Sequence, residues 1–550
     1  MNNKKWLMAV ALLCCASMLV MAGGDAESEG ATAGGFNATG YPIVDELTEL
    51  SVFVGGHATI EDLNTNSFTQ WYQEKTNIKL NFVEAPTDTD NKLNLILSSG
   101  TDVPDMLLRL NIQQALNYGT QGILVPLNEL IDSYGANFSK ISATRPHLSN
   151  IVTAPDGNIY AMPGLNECWH CEYTPKAFVA KNWMEKLGLD MPETTDDLVD
   201  LLRAFKEQDP NGNGKQDEIP MTGTDKWWQA EIDEFLMMPF TYYPGRTKLW
   251  IEDGKIYAPF TTDGWRQGVL YMRGLYAEGL IDSEVFTQDG TQFSQLIEND
   301  PMIVGAWTAG WAGAANPNGE RIMDYDAVIP PLKGPDGIRR SSHNPSWYQG
   351  LRFAITNECN NPEAAFRWAD GFYDMEIQIR KFYGPKDVGW REALPGEMGL
   401  NKKQADFKLL IEWGTPNNVR WDDLGLTVTT AEWRGTEAMV DSPGTYPGQR
   451  LSTERSMPYV GFEPDDYLPP LIMTVEEAEQ TADLKTSIDN YVKEHFVRFV
   501  TGDLDIEGEW DEYLEELDKL NLAAYIELTQ KVYDRQWKGF DFSKIGTFPY

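Results

Sequence analysis

Hydrophobic positions in the first third of the chain switch between two periods. ELSVFVGG (49–56) is a continuous apolar run closed by glycine, and IKLNFVEA (78–85) is apolar at every second residue, so both read as strands. Helical spacing appears over 62–75, 91–100 (closed by Gly100) and 112–118, and PDMLLRL (104–110) reads as a third strand. This alternation predicts a parallel, wound sheet with ligands at the C-terminal strand ends. A more helical region follows, with helices over 182–187, 195–206, 226–240, 265–278 and 293–299. The second of these opens on capping Thr and Asp residues. MIVGAW (302–307), DAVIPPL (326–332) and LRFAIT (351–356) read as strands, and 362–373 as an amphipathic helix. The stretch 482–536 is helical, broken at Thr501-Gly502.

Composition narrows the classes. The 550 residues hold 83 Asp and Glu against 45 Lys and Arg, a net charge of −38. Nucleic acid is excluded, because phosphate binding needs clustered cations, and docking on anionic lipid is disfavoured for the same reason. Eighteen tryptophans are far more than a chain of this size needs. Lys4 and Lys5, the apolar stretch 6–21 and Val20-Met21-Ala22 predict a signal peptide over 1–22. The chain is therefore expected outside the cytoplasm, periplasmic or extracellular. Cys14 and Cys15 lie too early for lipidation, so soluble release is favoured, with a membrane tether left open. Residues 23–40 form a Gly-rich leader.

DPNGNGKQDEIP (209–220) carries the clearest chemistry. Asp209, Asn211 and Asn213 stand at alternating positions, Gly214 allows the sharp turn, Lys215 offers its carbonyl, and Asp217 stands ninth. This is the first nine positions of an EF-hand-type loop, which predicts a structural Ca2+. Pro220 replaces the closing Glu, so Glu218 has to supply the final carboxylate. The alternative is an Asn-Gly-rich turn without an ion. Cys168-Trp169-His170-Cys171 is a lone CxxC, open to a local disulfide or to free thiols, and short of partners for a four-ligand zinc site.

The run FVAKNWMEKLGLDMPETTDDLVDLLRAFKEQDPNGNGKQDEIP (178–220) resembles extracellular solute-binding proteins of family 1, specifically the large oligosaccharide binders of the alginate and aldouronate type. LVPLNELI (124–131), NPEAAFRWADGFY (361–373) and FVTGDLDIEGEWDEYLEELDKLNL (499–522) are similar to the same group. Ala180-Lys181-Asn182 departs from the group, which has Arg and Asp before the Trp. The resemblance implies an α/β, periplasmic-binding-protein-like fold of two discontinuous lobes joined by a hinge, with a helix-rich C-terminal extension. The lobes are expected at 41–165 with 346–390, and at 166–345 with 391–550. Crossings would fall at 160–164, 346–350 and 384–390. It also implies that the calcium loop 209–218 is structural.

The implied function is capture of a carbohydrate in the interlobe cleft by a monomeric protein, and its delivery to the permease of an ABC importer, without catalysis. Rivals are a secreted carbohydrate-active enzyme and a binder of peptides or other small solutes. Sugar binding wants aromatic platforms and hydrogen-bonding rims. Trp307 and Trp311, in the small-residue run GAWTAGWAGAA, are the first candidates. Trp228 and Tyr242, beside Trp227 and Tyr243, follow in the same lobe. From the other lobe and the crossings come Arg109, Asn111, Glu167 and Trp347, with His57 and Tyr348 as weaker candidates.

Overall fold

The computed structural model describes residues 31–32, 35–246, 248–315, 321–325, 327–345, 348–411, 415–440 and 448–542. The expected signal peptide, most of the leader and Trp347 lie outside them.

The first sheet has five strands in the order Ile78–Ala85, Thr48–Gly55, Met106–Leu107, Leu351–Ile355, Met162–Pro163. Thr48–Gly55 runs parallel to both neighbours, as the strand–helix alternation predicts. Leu351–Ile355 runs antiparallel to both of its neighbours, so the sheet is mixed. That strand returns from the second sheet, so no βαβ crossover constrains its direction. Around it lie Ser67–Thr76, capped by Asn66 and ended by Asn77 at φ 61°, Thr89–Ser99, ended by Gly100 at φ 64°, and Ile112–Thr120.

The second sheet runs Ala327–Ile329, Lys176–Val179, Val304–Ala309, Ile219–Thr222. Its two central strands are buried at every position, which explains their mostly apolar sequences, with Lys176 and Thr308 as the buried polar exceptions. Thr195–Glu207 starts on a Thr194/Asp197 capping box. The helix expected over 226–240 shrinks to Ile232–Leu236.

Between the sheets, Leu165–Asn166 pairs in parallel with Val428–Thr429, and Gly164 exchanges backbone hydrogen bonds with Gln349 and Gly350. The segment 427–430 thus runs beside 165–167, through that pairing and the Leu165 and Glu167 N–H bonds to the Thr427 and Thr429 carbonyls. Trp390–Glu392 instead pairs with Phe407–Leu409. Residues 417–421 pack against 59–69. The Trp421 indole donates to Thr69 (2.8 Å) and Asn66 donates to the Arg420 carbonyl (3.0 Å).

The C-terminal extension is three helices, Val475–Thr501, Ile506–Lys519 and Leu522–Gln536. The first opens on a Thr474/Glu477 capping box and stops at Gly502, in the left-handed region at φ 86°. It packs on the second-sheet side, where Trp265 stacks on Trp510 and Tyr513. The last helix reaches back to the first lobe through reciprocal Asn150–Gln536 bonds. Trp265, Trp307, Trp368, Trp421 and Trp537 are essentially inaccessible, so much of the tryptophan excess is core.

Candidate functional site

A cavity of about 590 Å³ lies between the sheets, beside the crossings. From the first side it is lined by His57 and Thr59, which follow the strand Thr48–Gly55, and by Lys408, Asp422 and Asp423. The opposite wall carries Trp228, Gln229, Trp311 and the Cys168–Cys171 turn. A polar hollow of about 780 Å³ with Arg109, Asn111 and Arg352 continues from it, sharing His57, Gln349 and Asp423.

The two cleft tryptophans are seated on glycines. A Cβ at Gly310 would come within 2.5 Å of the Trp228 ring, and one at Gly313 within 2.4 Å of Trp311. The small residues of GAWTAGWAGAA thus make room for the indoles themselves. Trp228 remains 48% exposed, which leaves it open to a ligand.

The opposite wall is a charged lattice. His57 Nε2 lies 2.6 Å from Asp423, Thr59 is 2.8 Å from His57 Nδ1, and the Thr59 hydroxyl donates to Asp422 (2.7 Å). Burial would raise the Asp423 carboxyl, but the His57 bond and charge, with Lys381 and Arg352, bring it down to about 2. Burial raises the neighbouring Asp422, against the pull of Arg420. Lys381 donates to Thr427 (2.5 Å), and burial brings it down to about 7. Arg434 donates to Asn166 (2.6 Å) and to Thr429 (3.2 Å), tying two crossings together. Glu437 accepts from Tyr383 (2.9 Å), and burial raises it. Such a wall offers donors and acceptors of both signs to a hydroxyl-rich solute.

The structure separates the sequence candidates. Trp228 and Trp311 line the cavity, and Arg109 and Asn111 line the hollow beside it. The Asn111 side chain also caps Ile112–Thr120 by accepting from Gln114 (2.8 Å). Trp307 is a core residue: it stands inside Val304–Ala309, stacked on Phe178 at 4.6 Å and edge-on to Tyr325. Tyr242 is buried against Trp250, away from the central cavity, and its hydroxyl donates to the His343 carbonyl. Glu167 is committed to a buried pair with Arg145 (2.5 and 2.7 Å) and accepts from the Ala431 N–H (2.6 Å), so its oxygens are taken. Asp422, Asp423 and Lys408 are not among the sequence candidates, and only the tertiary fold brings them to the cavity.

The loop after Thr195–Glu207 folds around Asp209, whose carboxylate accepts from the backbones of Gly212, Asn213 and Gly214 at 3.0–3.1 Å. Asp209, Gly212 and Gly214 all have positive φ. The Asn211 and Asn213 amides converge on Asp217. Both Glu218 oxygens are buried without a hydrogen-bond partner, and burial, with the charges of Asp209 and Asp217, raises its pKa. An orphaned carboxylate beside two more acids is the environment a hard cation relieves.

Cys168 and Cys171 are joined as a disulfide. Their sulfurs and His170 are the single group of three or more His, Cys, Asp or Glu ligand atoms within 4.8 Å of one another among the described residues. The sulfur–sulfur bond occupies the thiolates such a site would need. No helix of the described residues is long and apolar enough to cross a membrane.

Comparison with known proteins agrees with this architecture. The fructooligosaccharide ABC transporter substrate-binding protein FusA of Streptococcus pneumoniae is 27% identical over 544 residues, 95% of each chain. The S. pneumoniae FusA structure in complex with kestose superposes with a TM-score of 0.71 at 26% identity, over 89% of this chain and 99% of that one. A FusA EF-hand mutant in complex with fructo-nystose gives 0.72 at 24% identity, over the same shares. Residues 59–379 match the model of one family directly, and the chain belongs to the bacterial extracellular solute-binding proteins.

Proposed function

We propose that this protein is the substrate-binding component of an ABC importer, capturing an oligosaccharide between its lobes and handing it to the membrane permease. Membership of a solute-binding family makes it a binding protein and not an enzyme. The observation that carries the sugar reading is the pairing of Trp228 and Trp311 on one wall with the His57, Asp422 and Asp423 lattice on the other. Ring faces meet the apolar side of a sugar and the lattice meets its hydroxyls. FusA, similar over nearly the whole chain, is named for fructooligosaccharides. The lobes in this reading are 41–165 with 346–426, and 166–345 with the C-terminal extension. Closure about 164–167, 349–350 and 427–430 would bury the sugar and shift the population toward a transport-competent form. Export through the 1–22 signal peptide and function as a monomer outside the cytoplasm complete the reading.

A thermal-shift screen over fructo-oligosaccharides, other neutral oligosaccharides and uronic oligosaccharides tests it. Both signs of charge in the wall favour the neutral series, which should raise the melting temperature by several degrees at saturation. Stabilisation by peptides alone, with none by any oligosaccharide, would overturn the proposal.

Calcium belongs to the same reading. Asp209, Asn211, Asn213, the Lys215 carbonyl, Asp217 and Glu218 would hold it, and a bound ion would supply the positive charge that Glu218 lacks. The FusA EF-hand mutant, similar in fold, supports the reading. Adding a chelator should lower the melting temperature by several degrees, and Glu218→Gln should remove most of that difference. Equal melting with calcium and with chelator would rule the ion out.

A further inference from the structure

The wall of the central cavity carries sulfur. Cys168, His170 and Cys171 all line it, beside Trp228 and Trp311. The two cysteines share a disulfide, and their sulfurs lie with a His170 nitrogen inside one 4.8 Å group. Cys168 Sγ is 3.4 Å from His170 Nε2. A zinc ion that holds a sulfur at about 2.3 Å and an imidazole nitrogen at about 2.0 Å, at the tetrahedral angle, sets the two about 3.5 Å apart. The sulfur and nitrogen therefore already stand at the separation one ion requires. Two thiolates on that ion would stand about 3.8 Å apart. Turning one side chain about its Cα–Cβ bond reaches that spacing across a Cα–Cα distance of 5.3 Å. Cys-x-x-Cys is also a common ligand spacing of zinc sites.

The turn has supports besides the disulfide. The Cys171 N–H donates to the Cys168 carbonyl (3.0 Å), and the Cys168 N–H to the Asn166 carbonyl (2.8 Å). The His170 carbonyl accepts from the buried Lys176 ammonium (2.7 Å). Trp169 packs edge-on to Tyr173, with ring centroids 5.4 Å apart. These contacts keep the three side chains in one turn when the sulfurs separate.

We propose that reduction converts this turn into a thiophilic metal site, in which the Cys168 and Cys171 thiolates and His170 hold a Zn2+ ion whose fourth position faces the cavity. The reductant is a dithiol. It gives two electrons and two protons to the sulfur–sulfur bond, leaving two thiols on the protein, and itself closes to a disulfide. Zn2+ then displaces both thiol protons, so disulfide and ion exclude each other. Three protein ligands with one open position is the arrangement in which a zinc ion also meets a small molecule. The inference does not depend on which solute the cavity takes.

Co2+ and Zn2+ titrations of the full chain test it, in calcium-containing buffer, before and after reduction by a dithiol that is then removed. The reduced chain should take up Co2+ with the intense absorption of tetrahedral thiolate ligation, and Zn2+ should displace it. The oxidised chain should bind at least about a hundredfold more weakly, since it has no thiolates to offer. Cys171→Ser and His170→Ala, each reduced, should weaken Zn2+ binding by at least about tenfold, the lower bound for losing even an outer-shell partner. Cys14, Cys15 and Cys359 stay in every chain, so binding that survives either substitution undiminished belongs elsewhere and would overturn the site. Equal affinity in the oxidised and reduced chains, or no uptake by the reduced one, would overturn it too. That comparison needs no substitution, and it decides if a variant fails to fold.

Discussion

Replacing Trp228 and Trp311 together by alanine is expected to weaken oligosaccharide binding roughly a hundredfold, while unfolding stays cooperative. An aromatic anchor in a desolvated pocket contributes about 2 kcal/mol or more to binding, a factor of about 30. The two rings line one cavity and rest on one short stretch, Gly310 to Gly313, so their effects need not add. Neither side chain holds the core together: Trp228 is half exposed, and Trp311 stands two residues past the strand Val304–Ala309. Trp307→Ala supplies the contrast. It empties a fully buried site between Phe178, Phe293 and Tyr325, and should cost about 3–5 kcal/mol of stability. Titration calorimetry on the double variant, with a urea melt on Trp307→Ala, separates the two roles. Wild-type affinity in the double variant would remove both rings from the site.

That contrast shows where the sequence was legible. The alternation of periods identified every strand of the first sheet from Thr48 to Leu107, because glycine closures and helix caps mark each end. In the second sheet, MIVGAW was read as ending at 307, but the strand runs to Ala309. The shift of two residues moves Trp307 from a strand end, where it would meet a ligand, into a central strand covered on both faces. Burial does not distinguish the two placements, since Ala306, Thr308 and Ala309 are as buried as Trp307. The Asp422–Asp423 pair was missed for a topological reason. It reaches the cleft because 415–426 folds back on Ser67–Thr76, a contact more than 300 residues distant in sequence. The long C-terminal helix, by contrast, opens on the capping box Thr474-Val-Glu-Glu477, ahead of residue 482 where the sequence reading starts it.

Arg145→Met is expected to destabilise the protein by about 3–5 kcal/mol, because it leaves Glu167 ionised, buried and unpaired. Glu167 takes two bonds from the Arg145 guanidinium and one from the Ala431 N–H. Burial works against the Arg145 charge, but Glu167, with Glu432, raises the guanidinium pKa still further. The three groups come from separate places: Arg145 precedes the helix His147–Val152, Glu167 follows the crossing strand Leu165–Asn166, and Ala431 follows Val428–Thr429. The pair therefore ties the segments at 145, 167 and 431 together. Removing both charges in Arg145→Met with Glu167→Met deletes the buried anion; the Ala431 donor loses its acceptor, and the Arg145 bonds to exposed Glu432 and to Thr144 are lost, a smaller cost of about 1–3 kcal/mol. The double variant should accordingly be more stable than Arg145→Met alone, a reversal that simple loss of packing cannot produce. Equilibrium urea unfolding of the three chains reads it directly, with slopes compared to confirm a common unfolded state. A double variant that is as unstable as the single one, or less stable, would mean that the site depends on shape and not on charge. Where the reversal holds, the alignment of these three segments rests on one buried ion pair.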